Sequence, residues 1–292
     1  MPAQTVKPIQ EIGLIVGREL RKNLRGVKGI ILLALSLVGG TAAALLLAKA
    51  FQRELESASV EMIHQAQEEV FTKMFHDPEM GKHLATAPFS LVLMLNLCVW
   101  LAPALIWLAG FDAISGEVQH RTIRYWTVRT RRFSYYLGKF LGLWATVGVM
   151  TFAMHFLIWI VTLSQGVYPV GDVLGWGFRL WLVSVPIVGA WCGIAVLVGA
   201  FFRTPITSLL VVGFSFFAMF VVGVFVPWIL EGLAGKGVSE TAPILRKLYP
   251  NAYDVFLLSP KIERVAIGLA ACFGFAGLPT ALGAYLLDKK DV

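Results

Sequence analysis

The chain has 292 residues, of which 57% are hydrophobic and 15% are charged, and its mean hydropathy is +0.73. Soluble domains are nearer half apolar and a quarter charged, so this composition excludes an ordinary soluble domain and indicates an integral membrane protein. The net charge of +7 is attributed to loops that face an anionic membrane leaflet, and nucleic-acid binding is not predicted.

A basic amphipathic helix is predicted over residues 7–28, where apolar residues recur at helical spacing and basic residues fill the other positions. This pattern is typical of a helix lying on a membrane surface, and a solvated, positively charged flank is the alternative. The apolar run that follows, residues 29–48, exceeds the roughly 7–15 residues of a signal-peptide core. We therefore predict an uncleaved membrane anchor.

Six membrane-spanning helices are predicted, because a helix needs about 20 apolar residues to cross a bilayer. Arg203 and Pro205 separate the fourth span from the fifth, since an Arg at the centre of one long helix would cost about 2.5–3.5 kcal/mol. The predicted spans cover residues 29–48, 90–110, 140–163, 180–200, 206–229 and 265–287.

Two segments between the spans are predicted to lie outside the cytoplasm. Residues 51–75 carry an apolar stripe, with steps of three or four, that includes Met62, Ala66, Val70 and Met74. This predicts an amphipathic helix that packs on the outer face of the protein or on a second copy, with substrate capture as an alternative. Residues 228–263 are rich in Pro and aromatic residues and predict short helices and turns at the outer interface.

The distribution of charge predicts the orientation of the chain. With both termini in the cytoplasm, the cytoplasmic segments hold 15 of the 25 basic residues and 6 of the 18 acidic ones. This excess of Lys and Arg favours cytoplasmic termini. No predicted span carries a charge at its centre, which argues against an ion-coupled carrier.

Catalytic and cofactor chemistry is not predicted for this chain. The segment 232–237 resembles a phosphate-binding loop but lacks its first Gly and its Ser/Thr, so ATP and Mg are not expected to bind here. Cys98, Cys192 and Cys272 are interpreted as buried apolar side chains, and neither a metal site nor a disulfide is indicated.

Polar residues within the spans are few. Asn96, Thr151 and His155 are candidates for lining a translocation path, and hydrogen bonding between helices is the alternative interpretation. Gly138 and Gly142, like similar pairs elsewhere, have a spacing that lets helices approach closely and gives weak support to oligomerisation.

A basic segment, residues 111–139, separates the second and third spans. Glu117, Arg121 and Arg124 have i, i+4, i+7 spacing, which predicts one shared helical face, with Asp112 or Ser115 as the cap. We expect a short cytoplasmic helix, a basic turn and re-entry into the membrane at Lys139. Such order is typical of a docking element for a cytoplasmic partner.

The same segment resembles the signature between the second and third spans of type-2 ABC transporter permeases, the ABC-2 family. The chain carries an Arg at position 121, where members of that family often have Gly, and the segment 249–260 is also similar to the family. The matching positions are Asp112, Ser115, Gly116, Glu117, Thr122, Ile123, Arg124, Arg132, Gly138 and Lys139.

The resemblance implies an all-α permease with a type V exporter-like fold, in which this segment and Arg121 couple to a separate ATPase that binds ATP and Mg. Two copies of the chain are expected to pair in the plasma (inner) membrane of a bacterium and to move an amphipathic or lipid-like cargo outward. A membrane subunit that only transmits force or a signal from the same ATPase is the first alternative, and an ion-coupled transporter is the second.

Overall fold

A computed structural model describes residues 7–43, 45, 46, 49, 60–125, 130–233 and 241–289. The described residues are helical almost throughout and contain no strand. The helices are α1 (Pro8–Arg25), α2 (Val27–Leu35), α3 (Val60–Phe75), α4 (Pro78–Leu84), α5 (Phe89–Gly110), α6 (Ser115–Gln119), α7 (Arg132–Ser164), α8 (Val170–Phe201), α9 (Pro205–Phe220), α10 (Val226–Leu233), α11 (Thr241–Arg246), α12 (Asp254–Leu258) and α13 (Ile262–Lys289).

Five helical stretches are long and apolar enough to cross a membrane: Phe89–Gln119, Arg132–Ser164, Val170–Phe201, Pro205–Gly232 and Ile262–Leu287. A sixth is obtained if the bent pair of α1 and the helix Val27–Ala43 is counted as one span. The fold is therefore that of an all-helical membrane protein with five or six apolar spans. Helix α8 is the most buried of the five and packs against α5, α7 and α13.

The chain bends by 68° between α1 and α2. Gly26 lies at the bend, and Gly29 follows it in the first turn of α2. A Cβ added to Gly29 would overlap the backbone oxygen of Asn23, so only glycine allows this close approach.

Helix α7 has 33 residues and is about 50 Å long, whereas the hydrocarbon core of a bilayer is about 30 Å thick. The helix is therefore longer than the apolar layer is thick. Helix α1 packs along its first part, where Gly138 contacts Ile15 and Gly142 contacts Glu19. The Gly138 and Gly142 pair thus serves packing within the chain, and it gives no support to oligomerisation.

The buried side of α3 only partly matches the stripe predicted for residues 51–75, of which Val70 and Met74 are partly buried against the core. Gln67, Phe71 and Phe75 are buried, whereas Met62 is exposed. The larger Phe side chains face α4 and the start of α5, where Phe71 stacks on Phe89 with ring centroids 5.4 Å apart. Residues 51–59, the first part of the predicted helix, lie outside the described residues.

The segment 241–258, here called the re-entrant segment, forms short helices and a turn as the sequence predicted, and part of it packs inside the bundle. Its location at the outer interface stays a prediction. Its 3₁₀ turn, Pro250–Tyr253, reaches α5 and α8 well inside the bundle. Asn251 accepts a hydrogen bond from Trp191 Nε1 at 2.7 Å and donates one to the Val99 backbone oxygen at 3.0 Å. A non-helical turn is tolerated at this depth because protein surrounds its polar groups.

Candidate coupling site

The short helix α6 is held in place by bonds to its neighbours. Ser115 and Ser208 both donate hydrogen bonds to the Phe111 backbone oxygen, at 2.9 and 2.6 Å. Asp112 pairs with Lys28 at 2.6 Å. The sequence predicted that Asp112 or Ser115 caps α6, and this is wrong. Ile114 occupies the N-cap position, and no side chain forms a cap bond.

Glu117 is buried and makes three polar contacts. Its carboxylate accepts hydrogen bonds from Lys139 Nζ at 2.6 Å and from the Tyr135 hydroxyl at 2.8 Å, and Arg18 approaches to 3.5 Å. Lys139 also binds Glu19 at 2.8 Å and is 1% exposed. These five residues, Arg18, Glu19, Glu117, Tyr135 and Lys139, are called the ion cluster below.

The ion cluster balances its own charge, since two carboxylates face one ammonium and one guanidinium. Burying an ion is costly, and the cost is offset only when partners and hydrogen bonds satisfy it. Lys139 is the central member because it contacts both carboxylates. The cluster therefore joins three elements: α1 through Arg18 and Glu19, α6 through Glu117, and α7 through Tyr135 and Lys139.

Helices α1 and the first part of α7 run in the same direction. Glu11 accepts a hydrogen bond from the Arg131 backbone N–H at 3.4 Å, and Glu19 binds Lys139, so both partners are offset by 120 residues. The acidic and apolar side chains of Glu11, Ile15 and Glu19 form the buried face of α1. Ile9, one of the apolar residues of the predicted amphipathic helix over residues 7–28, is 83% exposed, and contact of this helix with a membrane surface stays a prediction.

The predicted shared face of Glu117, Arg121 and Arg124 does not form. Helix α6 ends at Gln119, and Arg121 adopts a left-handed backbone with φ of 57°. This break turns the chain, so that Glu117 points into the bundle while Arg121 and Arg124 are exposed. The prediction assumed that one helix continues from Glu117 to Arg124, and this assumption was wrong.

The other residues of the predicted coupling set occupy different positions around this site. Thr122 Oγ1 donates to the Glu117 backbone oxygen at 3.3 Å, which closes the turn after α6. Arg132 donates to the Leu287 backbone oxygen at 3.1 Å and so joins the start of α7 to the end of α13. Gly116 is half-buried, and Ile123 is buried.

The structure separates the residues predicted to line a translocation path. Asn96 lines a cavity of about 480 Å³ beside the re-entrant segment. Thr151 and His155 do not line it: both are fully buried, and His155 Nδ1 lies 2.9 Å from the Thr151 backbone oxygen and 3.7 Å from Cys98 Sγ. The alternative interpretation, hydrogen bonding between helices, is met only in part, because His155 reaches α5 through Cys98 while its Nε2 is buried without a hydrogen-bond partner among the described residues.

Two members of the ion cluster, Arg18 and Glu19, were not singled out in the sequence, where they belonged to the basic amphipathic helix. A partial signal was present, because Glu19 and Lys139 carry opposite charges, but Glu11 meets the backbone N–H of Arg131, which almost any residue would supply. Among the described residues, no group of three or more His, Cys, Asp or Glu side chains is placed to hold a metal ion.

The bundle and the ion cluster define a class of protein: a multi-pass membrane protein in which a short connecting helix is anchored to two longer ones. A comparison with protein-family models matches residues 14–292 to the ABC-2 family transporter proteins. The chain belongs to the ABC-2 family, as its basic segment predicted, and it is a membrane component of a transporter. A search of curated proteins finds no match.

Proposed function

We propose that the chain is the permease subunit of an ATP-driven exporter and that its basic segment docks on a separate ATPase subunit. That subunit binds ATP and Mg, and the permease itself hydrolyses nothing. The termini and α6 lie in the cytoplasm, two copies of the chain pair in the bacterial plasma membrane, and an amphipathic cargo moves outward.

The observation that carries this proposal is the ion cluster. Lys139 binds Glu19 of α1 and Glu117 of α6 while belonging to α7, which continues into the membrane. A push on α6 therefore reaches a membrane-spanning helix through short, buried contacts, without passing through a mobile loop. Rigid-body motion of packed elements is a common way to pass a conformational change across a protein.

The surface left for the ATPase is the turn that follows α6. Gln119, His120, Arg121, Arg124 and Tyr125 are exposed there, so this turn is basic and carries an aromatic side chain. Glu117 and Lys139 are enclosed by the permease itself. In this proposal they position the docking turn, and the exposed residues make the contact.

Docking can be tested by reversing a charge on this turn. Purified from its native membrane, the wild-type chain should carry with it an ATPase that contains a phosphate-binding loop. Arg121→Glu should lose that ATPase while keeping normal expression, because the side chain is exposed. Lys82→Glu is the control, since Lys82 is exposed on α4. Equal ATPase recovery with Arg121→Glu and the wild type would contradict the docking surface.

The orientation is tested separately by labelling single cysteines in intact cells with a reagent that does not cross the membrane. A cysteine at position 65 should be labelled, and one at position 120 should not. The residues occupying these positions are exposed in the structure, so access to the reagent depends on the side of the membrane. Labelling at position 120 would overturn the proposed orientation.

A further inference from the structure

The cavity of about 480 Å³ beside the re-entrant segment, here called the re-entrant cavity, combines one carboxylate with several aromatic rings. Its walls come from α5, from the chain around α10, from the turn between α3 and α4, and from the re-entrant segment. The residues that matter below are Trp100, Trp228, Tyr249, Tyr253 and Asp254. A volume of several hundred cubic ångströms suits a small organic molecule.

Asp254 has no cationic partner in the described part of the chain. No Lys, Arg or His nitrogen described there lies within 4.0 Å of its carboxylate, which accepts a hydrogen bond from the Val255 backbone N–H at 2.6 Å. The side chain is half-buried. A carboxylate in such a place is unfavourable as an ion unless a cation joins it or a proton neutralises it.

Two basic residues, Arg246 and Lys247, line the cavity but do not pair with Asp254. Arg246 is engaged by Glu231 at 2.6 Å, and Lys247 is exposed. Asp77, the other acid on the wall, already binds Arg264 at 2.9 Å. Of the two acids on the cavity wall, Asp254 is therefore the one that has no cationic partner among the described residues.

Aromatic rings line the same cavity as this carboxylate. Trp100 packs edge-on against Phe220, with ring centroids 6.0 Å apart, and it also contacts Tyr249. Trp100 and Trp228 stay 45% and 67% exposed although both line the cavity. Aromatic faces attract ammonium groups, and they also offer apolar surface to a hydrocarbon body.

We propose that the re-entrant cavity binds an amphipathic cation, with the ammonium group at Asp254 and the apolar body against Trp100 and Trp228. The molecule is defined by its chemistry: one quaternary or primary ammonium group on a hydrocarbon body. This is a proposal about binding, and it holds whether or not the chain docks an ATPase as proposed above. Failure of one is therefore distinguishable from failure of the other.

The binding test uses the full chain in nanodiscs of phosphatidylglycerol, a lipid whose headgroup carries no ammonium. The probe is octyltrimethylammonium below its micelle concentration, measured at pH 8 by equilibrium dialysis against empty nanodiscs. Octyl sulfate and octyl glucoside serve as the anionic and neutral probes with the same hydrocarbon chain. We expect saturable binding of the cation alone.

Asp254→Asn should lower the affinity for octyltrimethylammonium at least about tenfold, because it removes the charge and keeps the shape. Glu263→Gln is the matched control, an exposed acid that does not line the cavity, and it should bind as the wild type does. Trp228→Leu should weaken binding severalfold as a second variant. The melting temperature of each variant is measured first, so that loss of binding is separated from loss of folding.

The pH dependence of cation binding by the wild-type protein is a second test. Burial raises the pKa of Asp254 to about 7, so cation binding should strengthen between pH 5.5 and pH 8, and in Asp254→Asn this change should disappear. Other ionisable groups face the same space and are still present in that variant. They are His76, Asp77, Arg246, Lys247, Tyr249, Tyr253 and the neighbouring Cys272.

Three outcomes overturn the proposal. The first is equal affinity of the wild type and Asp254→Asn for the cation. The second is tighter binding of octyl sulfate than of octyltrimethylammonium, which would make the site an anion site built on Arg246 and Lys247. The third is no saturable binding to the wild type at pH 8, which would mean that a proton alone balances Asp254.

Discussion

The ion cluster and the re-entrant cavity both place acidic side chains inside the protein, but they treat the charge in opposite ways. In the cluster, Glu19 and Glu117 share Lys139 and leave no carboxylate without a cation. In the cavity, Asp254 has a backbone N–H for a partner. The first arrangement is a paired charge that stabilises the fold. The second is an unpaired carboxylate, for which we propose a bound cation as the partner.

The two regions should therefore respond to neutralisation with opposite signs. Removing the charge of Lys139 leaves two buried carboxylates poorly compensated, whereas removing the charge of Asp254 relieves an unfavourable ion. Four substitutions, taken from the largest expected effect to the smallest, examine this contrast and the packing around it.

Lys139→Met should destabilise the protein by about 3–5 kcal/mol, because a buried ion pair that loses one partner leaves uncompensated charge. The measurement is the apparent melting temperature and the recovery of monodisperse protein in detergent. Lys73→Met is the control, since Lys73 forms an exposed, solvent-screened pair with Glu69 and its loss should leave the melting temperature nearly unchanged.

A triple variant sharpens this test: Lys139→Met combined with Glu19→Gln and Glu117→Gln. Neutralising all three groups removes the uncompensated charge, so much of the stability should return. If the single and triple variants are equally unstable, the shape of Lys139 matters and its charge does not.

Asn251→Leu should cost about 2–3 kcal/mol, because it leaves the Trp191 Nε1 donor and the Val99 backbone oxygen without their partner inside the bundle. Thermal unfolding in detergent reports the loss. Asn23→Leu is the comparison, since Asn23 is half-buried and makes a long 3.4 Å bond to Thr146. Similar losses in both variants would mean that the re-entrant segment is not anchored through Asn251.

Gly138→Ala should destabilise by about 1–3 kcal/mol, because the new Cβ would lie 2.7 Å from the Cβ of Ile15, a stiff side chain. Gly148→Ala lies in the same helix, has nothing within 4 Å of the new Cβ, and should be neutral or slightly stabilising. The pair of melting temperatures isolates the contact between α1 and α7. A stabilised Gly138→Ala would show that the two helices have room to separate.

Asp254→Asn should stabilise the protein at pH 8 by about 1–2 kcal/mol, a figure reduced from the full effect because the side chain is half-buried and partly reached by water. The pKa of Asp254 is raised from 3.8 to about 7, so the folded state holds its proton more tightly than the unfolded state does. The wild type should lose stability as pH rises from about 4 to about 7 and change little above that.

The pH profile of the melting temperature, recorded without added cation, measures this effect. The part of the slope that belongs to Asp254 should vanish in the Asn variant, and Glu263→Gln should keep the wild-type profile. A profile that is the same in Asp254→Asn and the wild type would show that Asp254 is well solvated. Neutralising Asp254 would then not stabilise the protein, and the expected opposite signs for the two regions would be contradicted.

Much of the architecture was accessible from composition and hydropathy. Apolar runs long enough to span a bilayer predicted an all-helical membrane protein, and the basic segment around Glu117 predicted the family. These features are local, since they depend on neighbouring residues and on the thickness of the bilayer. Features of this kind can be recognised in a stretch of consecutive residues, so the sequence alone predicts them.

The features that sequence reasoning missed depend on contacts between distant residues. Lys139 meets Glu19 across 120 positions, and Asn251 meets Val99 across 152. The packing of the re-entrant segment inside the bundle follows from that second contact, which the abundance of Pro around it did not indicate. The turn at Arg121 was missed because helical spacing was extended through a residue that leaves the helix.

The parallel pairing of α1 with α7 has a consequence for biosynthesis. Glu19 is made first, and its partner Lys139 is made 120 residues later, which at about 5–20 residues per second is a delay of about 6–24 s. During that interval α1 lacks the ammonium group that its buried face requires, so it must wait in an aqueous or interfacial environment. Helix α1 is therefore among the elements that can reach their final position only after α7 has begun to emerge from the ribosome.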